Sequence, residues 1–457
     1  MISGLIIDKS ISMLEKLFQL KTAGTNVRQE MLGGLTTFMT MAYICFVQPA
    51  VMGAAGMDPG AVLLATCLAS AAATVMMGLY ARYPIALAPG MGQNFFFTYT
   101  VVLTLGVPWQ TALGIVFLAG AVFMILSLFG FREKVIDSIP DALKSAIAAG
   151  IGLMITLIGL EWGGLVVDDP ALLVTLGDLG EPVALLTLFG LFVTAILLVK
   201  RIRGAMLIGI IVTTGAGIVF DMIPFHGIVS TPPAISGTFM QLDLAGAFRW
   251  DLLAVVFTFF ILDLFDTVGT LVGVASEAGF MKNGKLPRAR QALLSDATGS
   301  VIGAVLGTST VTSYVESASG IASGARTGLA NMFTALLFIL VIFFYPVVQM
   351  IGGGIELADG MRYYPAIAPV LILVGLYMMK GISRIPWKDF SESIPAFITL
   401  IIIPFSFRIT EGIAFGFIAY TVLKFFEGKW REVPLMMWLF AIIFALRYIY
   451  MAMVGFE

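Results

Sequence analysis

Charge is what this chain lacks most. Asp, Glu, Lys and Arg make up 12% of its 457 residues, about half the ~25% of a soluble globular domain. Most of its surface therefore cannot face water, which excludes a cytosolic enzyme and a secreted disulfide scaffold. A basic excess is also missing: 26 Lys and Arg stand against 28 Asp and Glu, a net charge of −2. That leaves no footprint for a phosphate backbone, so nucleic acid is not an expected partner. Cysteine is limited to Cys45 and Cys67, both inside apolar runs, where they read as small buried hydrophobes and not as a bridge or metal site. The sole histidine, His226, falls in an expected external loop, which excludes an intramembrane histidine relay. No short apolar core with a small-residue cleavage site opens the chain, so no removable signal peptide is expected.

What is abundant is apolar. Hydrophobic residues reach 59% and mean hydropathy is +1.00, and the 49 glycines suit close helix approach in a bilayer. The pattern predicts an all-α polytopic membrane protein, with the lipid bilayer as its main partner. Spans need roughly 20 apolar residues. Candidates are 34–55, 61–82, 88–104, 109–130, 142–162, 183–200, 204–223, 252–276, 291–307, 308–324, 328–350 and 365–380, then the short runs 394–407 and 409–427, and finally 433–453. Residues 1–33, with Lys9, Lys16, Lys21 and Arg28, read as a cytoplasmic amphipathic lead-in. Basic residues then follow every even-numbered span: Arg82, Arg132 and Lys134, Lys200 to Arg203, Lys282 to Arg290, Arg326, Lys380 to Lys388, and Lys429 with Arg431. The loops 51–60 and 105–108 have none, and 161–182 is acidic. Positive charge marks the cytoplasmic side, so a multi-pass topology with a cytoplasmic N-terminus fits. The run 433–453, which contains Arg447, reads as either interfacial or one more crossing.

Two segments break the apolar pattern at matched places. One is PIALAPGMGQN, Pro84 to Asn94, followed by Phe95, Phe96 and Phe97; the other is GTSTVTSYVESASG, Gly307 to Gly320. Each is third in its group of seven when the chain is divided near residue 235. A fainter echo pairs Ser138-Ile-Pro140 with Ser393-Ile-Pro395. Short, Gly/Pro-interrupted segments in corresponding halves point to a transporter site built from inverted repeats, because non-helical backbone survives at membrane depth only where protein or a water-filled cavity satisfies it. The bland alternative is a prolyl kink at Pro84, Pro89 and Gly90.

Charges inside the bilayer are costly and mark function. Asp263 and Asp266 lie mid-segment three residues apart, on one helix face extended by Thr267 and Thr270. Glu316 sits past the second interruption among Thr308, Thr310, Thr312, Ser313, Ser317 and Ser319, most of which read as helix-packing hydroxyls. Asp296, beside Arg290, reads as structural or gating. Burial favours the protonated carboxyl, so Glu316, Asp263 and Asp266 are the candidates to carry a coupling proton. The run Gly279 to Leu286, GFMKNGKL, fails as a phosphate loop because its last position is Leu where Ser or Thr must reach magnesium.

These residues together resemble the nucleobase–cation symporter-2 superfamily, in its AzgA-like branch of adenine, guanine and hypoxanthine permeases. The matching stretches are GGLTTFMTMAY (33–43), ALAPGMGQN (86–94), VTLGD (174–178), DLFDTVGTLVG (263–273) and GTSTVTSYVES (307–317), and the likeness runs over about residues 30 to 450. It implies fourteen spans as two inverted sevens. A core domain would take 34–135 and 251–352, and a gate domain 136–250 and 353–457, with substrate between them. It further implies that the span 8 acid and Glu316 hold the base, with Asp263 the first choice and Asp266 close behind, and that Asn94 contributes. Backbone amides near Phe95 and Val315 would donate to the ring, and Gly92 and Thr310 complete the expected substrate set. Gln93 departs from the family, where an apolar residue is usual.

The expected activity is proton-coupled import of purine nucleobases across the cytoplasmic (inner) membrane, with protons as coupling ion, no other cofactor and no metal. A uracil or xanthine carrier is the nearest alternative. A channel would need a continuous polar pore, an enzyme would need a nucleophile–base pair that the sequence does not offer, and an inorganic anion would be repelled by the site acids. A homodimer through the gate domain is compatible with the resemblance.

Overall fold

The computed structural model describes residues 15–129, 139–281, 286–357 and 361–454. All but two of the long apolar runs are helices, as they must be where no water is present to satisfy a bare backbone. In chain order the elements are α1 (Val27–Met41), α2 (Ile44–Ala54), α3 (Pro59–Met76), β1 (Leu87–Pro89), α4 (Met91–Phe95), α5 (Trp109–Phe129), α6 (Asp141–Trp162), β2 (Val166–Asp169), β3 (Leu173–Leu176), α7 (Pro182–Val199) and α8 (Ala205–Val219). The second half holds α9 (Leu253–Glu277), α10 (Ala289–Leu306), β4 (Val311–Ser313), α11 (Ser317–Ala322), α12 (Leu329–Val341), α13 (Tyr345–Gly352), β5 (Ile355–Glu356), β6 (Arg362–Tyr363), α14 (Ala368–Met378), α15 (Phe390–Ser406), α16 (Ile409–Phe426) and α17 (Leu435–Val454).

The chain forms fourteen segments in two inverted sevens, residues 27–219 and 253–426. The third segment of each seven is not a plain helix. It enters as an extended strand, β1 or β4, and leaves as a helix, α4 with its π-helical continuation to Thr104 or the short α11. Among the described residues, eight helical stretches are long and apolar enough to cross a membrane, and three more are shorter. The even spacing of apolar runs places the elements well, but not their ends. The first helix begins at Val27 and not at 34, because Asn26 Oδ1 accepts the Gln29 N–H at 3.0 Å and caps a polar first turn. Likewise α15 starts at Phe390, four residues early, behind the Asp389 cap. Residues 1–14, Arg132, Lys134, Ser138 and 282–285 of the rejected phosphate loop lie outside the described residues.

Packing in the bundle depends on small residues. A Cβ added to Gly320 would stand 2.0 Å from Thr37 Oγ1 and 2.5 Å from the Gly33 carbonyl oxygen, so α11 can touch α1 only where no side chain intervenes. Many buried hydroxyls satisfy themselves on the carbonyl one turn back, as Thr187, Thr194, Thr213, Thr399 and Thr421 do at 2.7–2.9 Å. The run 433–453 folds as helix α17. It lies against both α16 and α9, with Phe440 5.9 Å from Phe417 and 4.9 Å from Phe257. Arg447 on α17 donates to Glu411 Oε1 at 2.8 Å.

Candidate functional site

The two interruptions meet. β1 and β4 pair antiparallel with Leu87 opposite Ser313, Ala88 opposite Thr312 and Pro89 opposite Val311. The pairing extends past the strands: Gly90 N–H donates to the Thr310 carbonyl and Tyr314 N–H to the Ala86 carbonyl, both at 3.0 Å. Tyr314 Oη donates to the Pro89 carbonyl at 2.5 Å and Ser317 Oγ accepts the Ala86 N–H at 3.0 Å. Backbone that neither segment satisfies alone is satisfied by the other, which explains why two breaks occur and not one. A prolyl kink is excluded, since residues 82–90 leave the helix altogether.

The hydroxyls of the second interruption hold this crossing together; few of them pack helices as expected. Asp296, fully buried on α10, accepts from Ser313 N–H and Ser313 Oγ at 2.8 Å and from Thr267 Oγ1 at 2.5 Å. Thr267 also meets Thr312 at 3.0 Å. Asp296 is therefore a structural acid that pins β4 to α9 and α10.

The three site acids divide into two environments. Glu316 is partly open and accepts from Tyr43 Oη at 2.7 Å. Asp266 is also partly open, and Gln93 Nε2 donates to its Oδ2 at 3.3 Å. Asp263, one turn away on α9, is 2% exposed and accepts from Ser300 Oγ at 3.1 Å; the same hydroxyl contacts the Val311 carbonyl at 3.0 Å. Asp263 thus borders β4 from within the protein, whereas Asp266 and Glu316 border open space.

The remaining expected residues spread around this crossing. Val315, between the Tyr314 and Glu316 contacts, is exposed. Gly92 faces α6, where a Cβ would lie 3.1 Å from Ile151 Cγ2. Phe95 is fully buried, 5.7 Å from Tyr99 in a near-parallel stack and 6.5 Å from Trp162, which itself sits 4.3 Å from Tyr364. Phe96 packs on Phe259 at 4.8 Å, and Phe97 is fully buried. Asn94 and Thr310 are likewise buried. Tyr43, Trp162 and Gln48 are neighbours of the site that sequence reasoning missed. Tyr43 ends one of the recognised stretches, and its place at the α1–α2 break was the one available signal.

A separate cavity of about 400 Å³ is lined by Thr100, Asp243, Arg249, Arg408, Glu411 and Arg447, and it shares no residue with the acid site. Among the described residues no three His, Cys, Asp or Glu side chains are placed to hold a metal ion.

Comparison with known proteins adds three findings. The Permease family matches residues 28–415. The guanine/hypoxanthine permease PbuG of Bacillus subtilis is 46% identical over 451 residues, covering 96% of this chain and all of the relative; the adenine permease AdeP of Escherichia coli is 43% identical over 439 residues, covering 96% of each. The transmembrane domain of the cyanobacterial bicarbonate transporter BicA superposes with a TM-score of 0.63 at 16% identity, covering 84% of this chain and 97% of the other. That last likeness speaks to fold alone.

Proposed function

The chain belongs to the Permease family of nucleobase–cation symporters, and from that premise we propose that it imports purine nucleobases by proton symport across the cytoplasmic membrane. The observation that carries the reading is the crossing of β1 and β4, beside which stand two partly open carboxyls, Glu316 held by Tyr43 and Asp266 held by Gln93. Relatives alike over nearly their whole length are named as adenine and guanine/hypoxanthine permeases, which supports a purine cargo.

The chemistry suits that cargo. A purine base is planar, apolar on its faces and edged with N–H donors, which carboxyl oxygens accept. Tyr43 and Gln93 each hold one oxygen of these carboxyls and so fix how they face the base. An acid at membrane depth is also the kind of group that proton relays in transporters use. Proton and base then enter together and leave together on the cytoplasmic side. Residues 34–135 and 251–352 would move as a core against a gate made of 136–250 and 353–457, the rocking expected of repeat transporters. The N-terminus is cytoplasmic by the positive-charge pattern.

Uptake of radiolabelled adenine by cells lacking their own purine carriers, with and without a protonophore, tests the reading. Unlabelled guanine, hypoxanthine, xanthine and uracil serve as competitors. Protonophore-sensitive uptake that purines block supports it; no uptake of any base by protein present in the membrane overturns it. Glu316→Gln, Asp266→Asn and Asp263→Asn should each abolish uptake at normal membrane levels. Near-normal transport in all three would remove the acids from the mechanism.

A further inference from the structure

A polar cluster that ties α2 and α3 to the two interruptions is not used by the transport chemistry. Gln48 on α2 is fully buried, and its Nε2 donates to Thr308 Oγ1 at 3.0 Å and to Ser309 Oγ at 3.3 Å. Ser309 Oγ in turn donates to Asn94 Oδ1. Thr66 Oγ1 on α3 lies 3.1 Å from Thr308 Oγ1, and Ser70 stands one turn further along the same helix. Four polar atoms here, Gln48 Oε1, Asn94 Nδ2, Ser70 Oγ and Thr310 Oγ1, have no hydrogen-bond partner in the protein, and all four side chains are at most 2% exposed. A buried polar group left bare costs about 1–3 kcal/mol. Buried polar groups are as a rule paired with protein or ordered water, and these four lie on or within one helical turn of the cluster's residues or their chain neighbours.

The polarity of the cluster selects the ligand. Gln48 N–H points at Ser309, and Ser309 O–H at Asn94 Oδ1, so the two amides flank one hydroxyl with the same directional sense. What they leave over is one donor, Asn94 Nδ2, and one acceptor, Gln48 Oε1. A ligand that accepts from the first and donates to the second closes a ring in which every hydrogen bond runs the same way round, the arrangement in which neighbouring bonds strengthen one another. We propose that this cradle binds water: one molecule bridging Asn94 to Gln48, whose remaining hydrogen-bonding capacity reaches the Thr310 or Ser70 hydroxyl. A buried water makes about three such bonds. A monovalent cation matches the oxygen atoms but not the amide hydrogens of Asn94, and no carboxylate belongs to the cluster to balance its charge. Gln48 is then a positioning residue that fixes which way the Asn94 amide faces. This goes beyond the cargo reading and does not depend on it.

The test is a reconstruction of the full chain in nanodiscs, at a resolution that shows other buried waters, from sodium buffer and from choline buffer. Density within hydrogen-bonding distance of Asn94 Nδ2 and Gln48 Oε1 in both buffers is the expected result. No density there, or density only in sodium at shorter contacts, overturns the proposal. Gln48→Leu should lose the density and several degrees of melting temperature, with Ser309→Ala behaving likewise. Full thermal stability in Gln48→Leu would equally refute it. The wild-type density decides the matter should either variant fail to fold.

Discussion

Asn331 on α12 offers a perturbation whose size can be worked out from the structure. Its side chain is 1% exposed, and its Nδ2 reaches the carbonyls of Thr74 and Tyr83 at 3.1 Å and of Ile85 at 2.8 Å. Two of these have lost their helical partners for stated reasons. The N–H that would serve Tyr83 belongs to Leu87, which instead donates to Thr74 Oγ1 at 2.9 Å. The N–H that would serve Ile85 would come from position 89, where proline has none. Asn331→Leu keeps approximate volume but removes both amide protons, leaving the Tyr83 and Ile85 carbonyls bare at about 1–3 kcal/mol each, or about 4 kcal/mol in all. Asn331→Asp, the same shape, should be worse, because it sets an oxygen against three carbonyl oxygens. Taking roughly 2 °C per kcal/mol for a chain of this size, Asn331→Leu should melt about 8 °C below wild type in a thermal-shift assay of the purified protein, with Asn331→Asp below that. A leucine variant within 1 °C of wild type, or an aspartate variant more stable than the leucine one, would refute the claim that this amide closes the break before β1.

Three further outcomes are expected. Tyr43→Phe removes the 2.7 Å bond to Glu316, worth about 1 kcal/mol, and should raise the KM for purine uptake roughly fivefold at unchanged membrane levels; an unchanged KM would show that Glu316 does not need the phenol. Gly320→Val drives a side chain into Thr37 and the Gly33 carbonyl, so fluorescence size-exclusion should show little folded protein, whereas Ser323→Val one turn on should fold. Asp389 caps α15 outside the membrane, and the Ser391 hydroxyl and N–H hold its carboxyl below the usual carboxylate range. A depressed carboxyl stabilises above its unfolded pKa and loses that contribution as pH falls through its folded one. Asp389→Asn should therefore narrow the stability gap to wild type only in acid, with melting curves between pH 6 and pH 8 parallel.

Composition and pattern determined a good deal here. Low charge and high hydropathy fix the solvent, apolar runs fix the helices, and the alternation of basic loops favours one orientation; each is a property of consecutive residues and needs no knowledge of what packs on what. The two interruptions were legible for the same reason, since Pro84, Pro89, Gly90 and the Thr/Ser run announce themselves locally. Their union was not. Leu87 meets Ser313, Tyr43 meets Glu316 and Gln93 meets Asp266 across some 170 to 270 intervening residues, and only the folded bundle sets those registers. The spacing of Asp263 and Asp266 puts both on one face of α9, yet three residues of helix turn them about 60° apart. That rotation sends one carboxyl to Ser300 inside the protein and leaves the other beside open space. Whether a given polar residue binds, bridges or only braces was decided by what tertiary packing set against it.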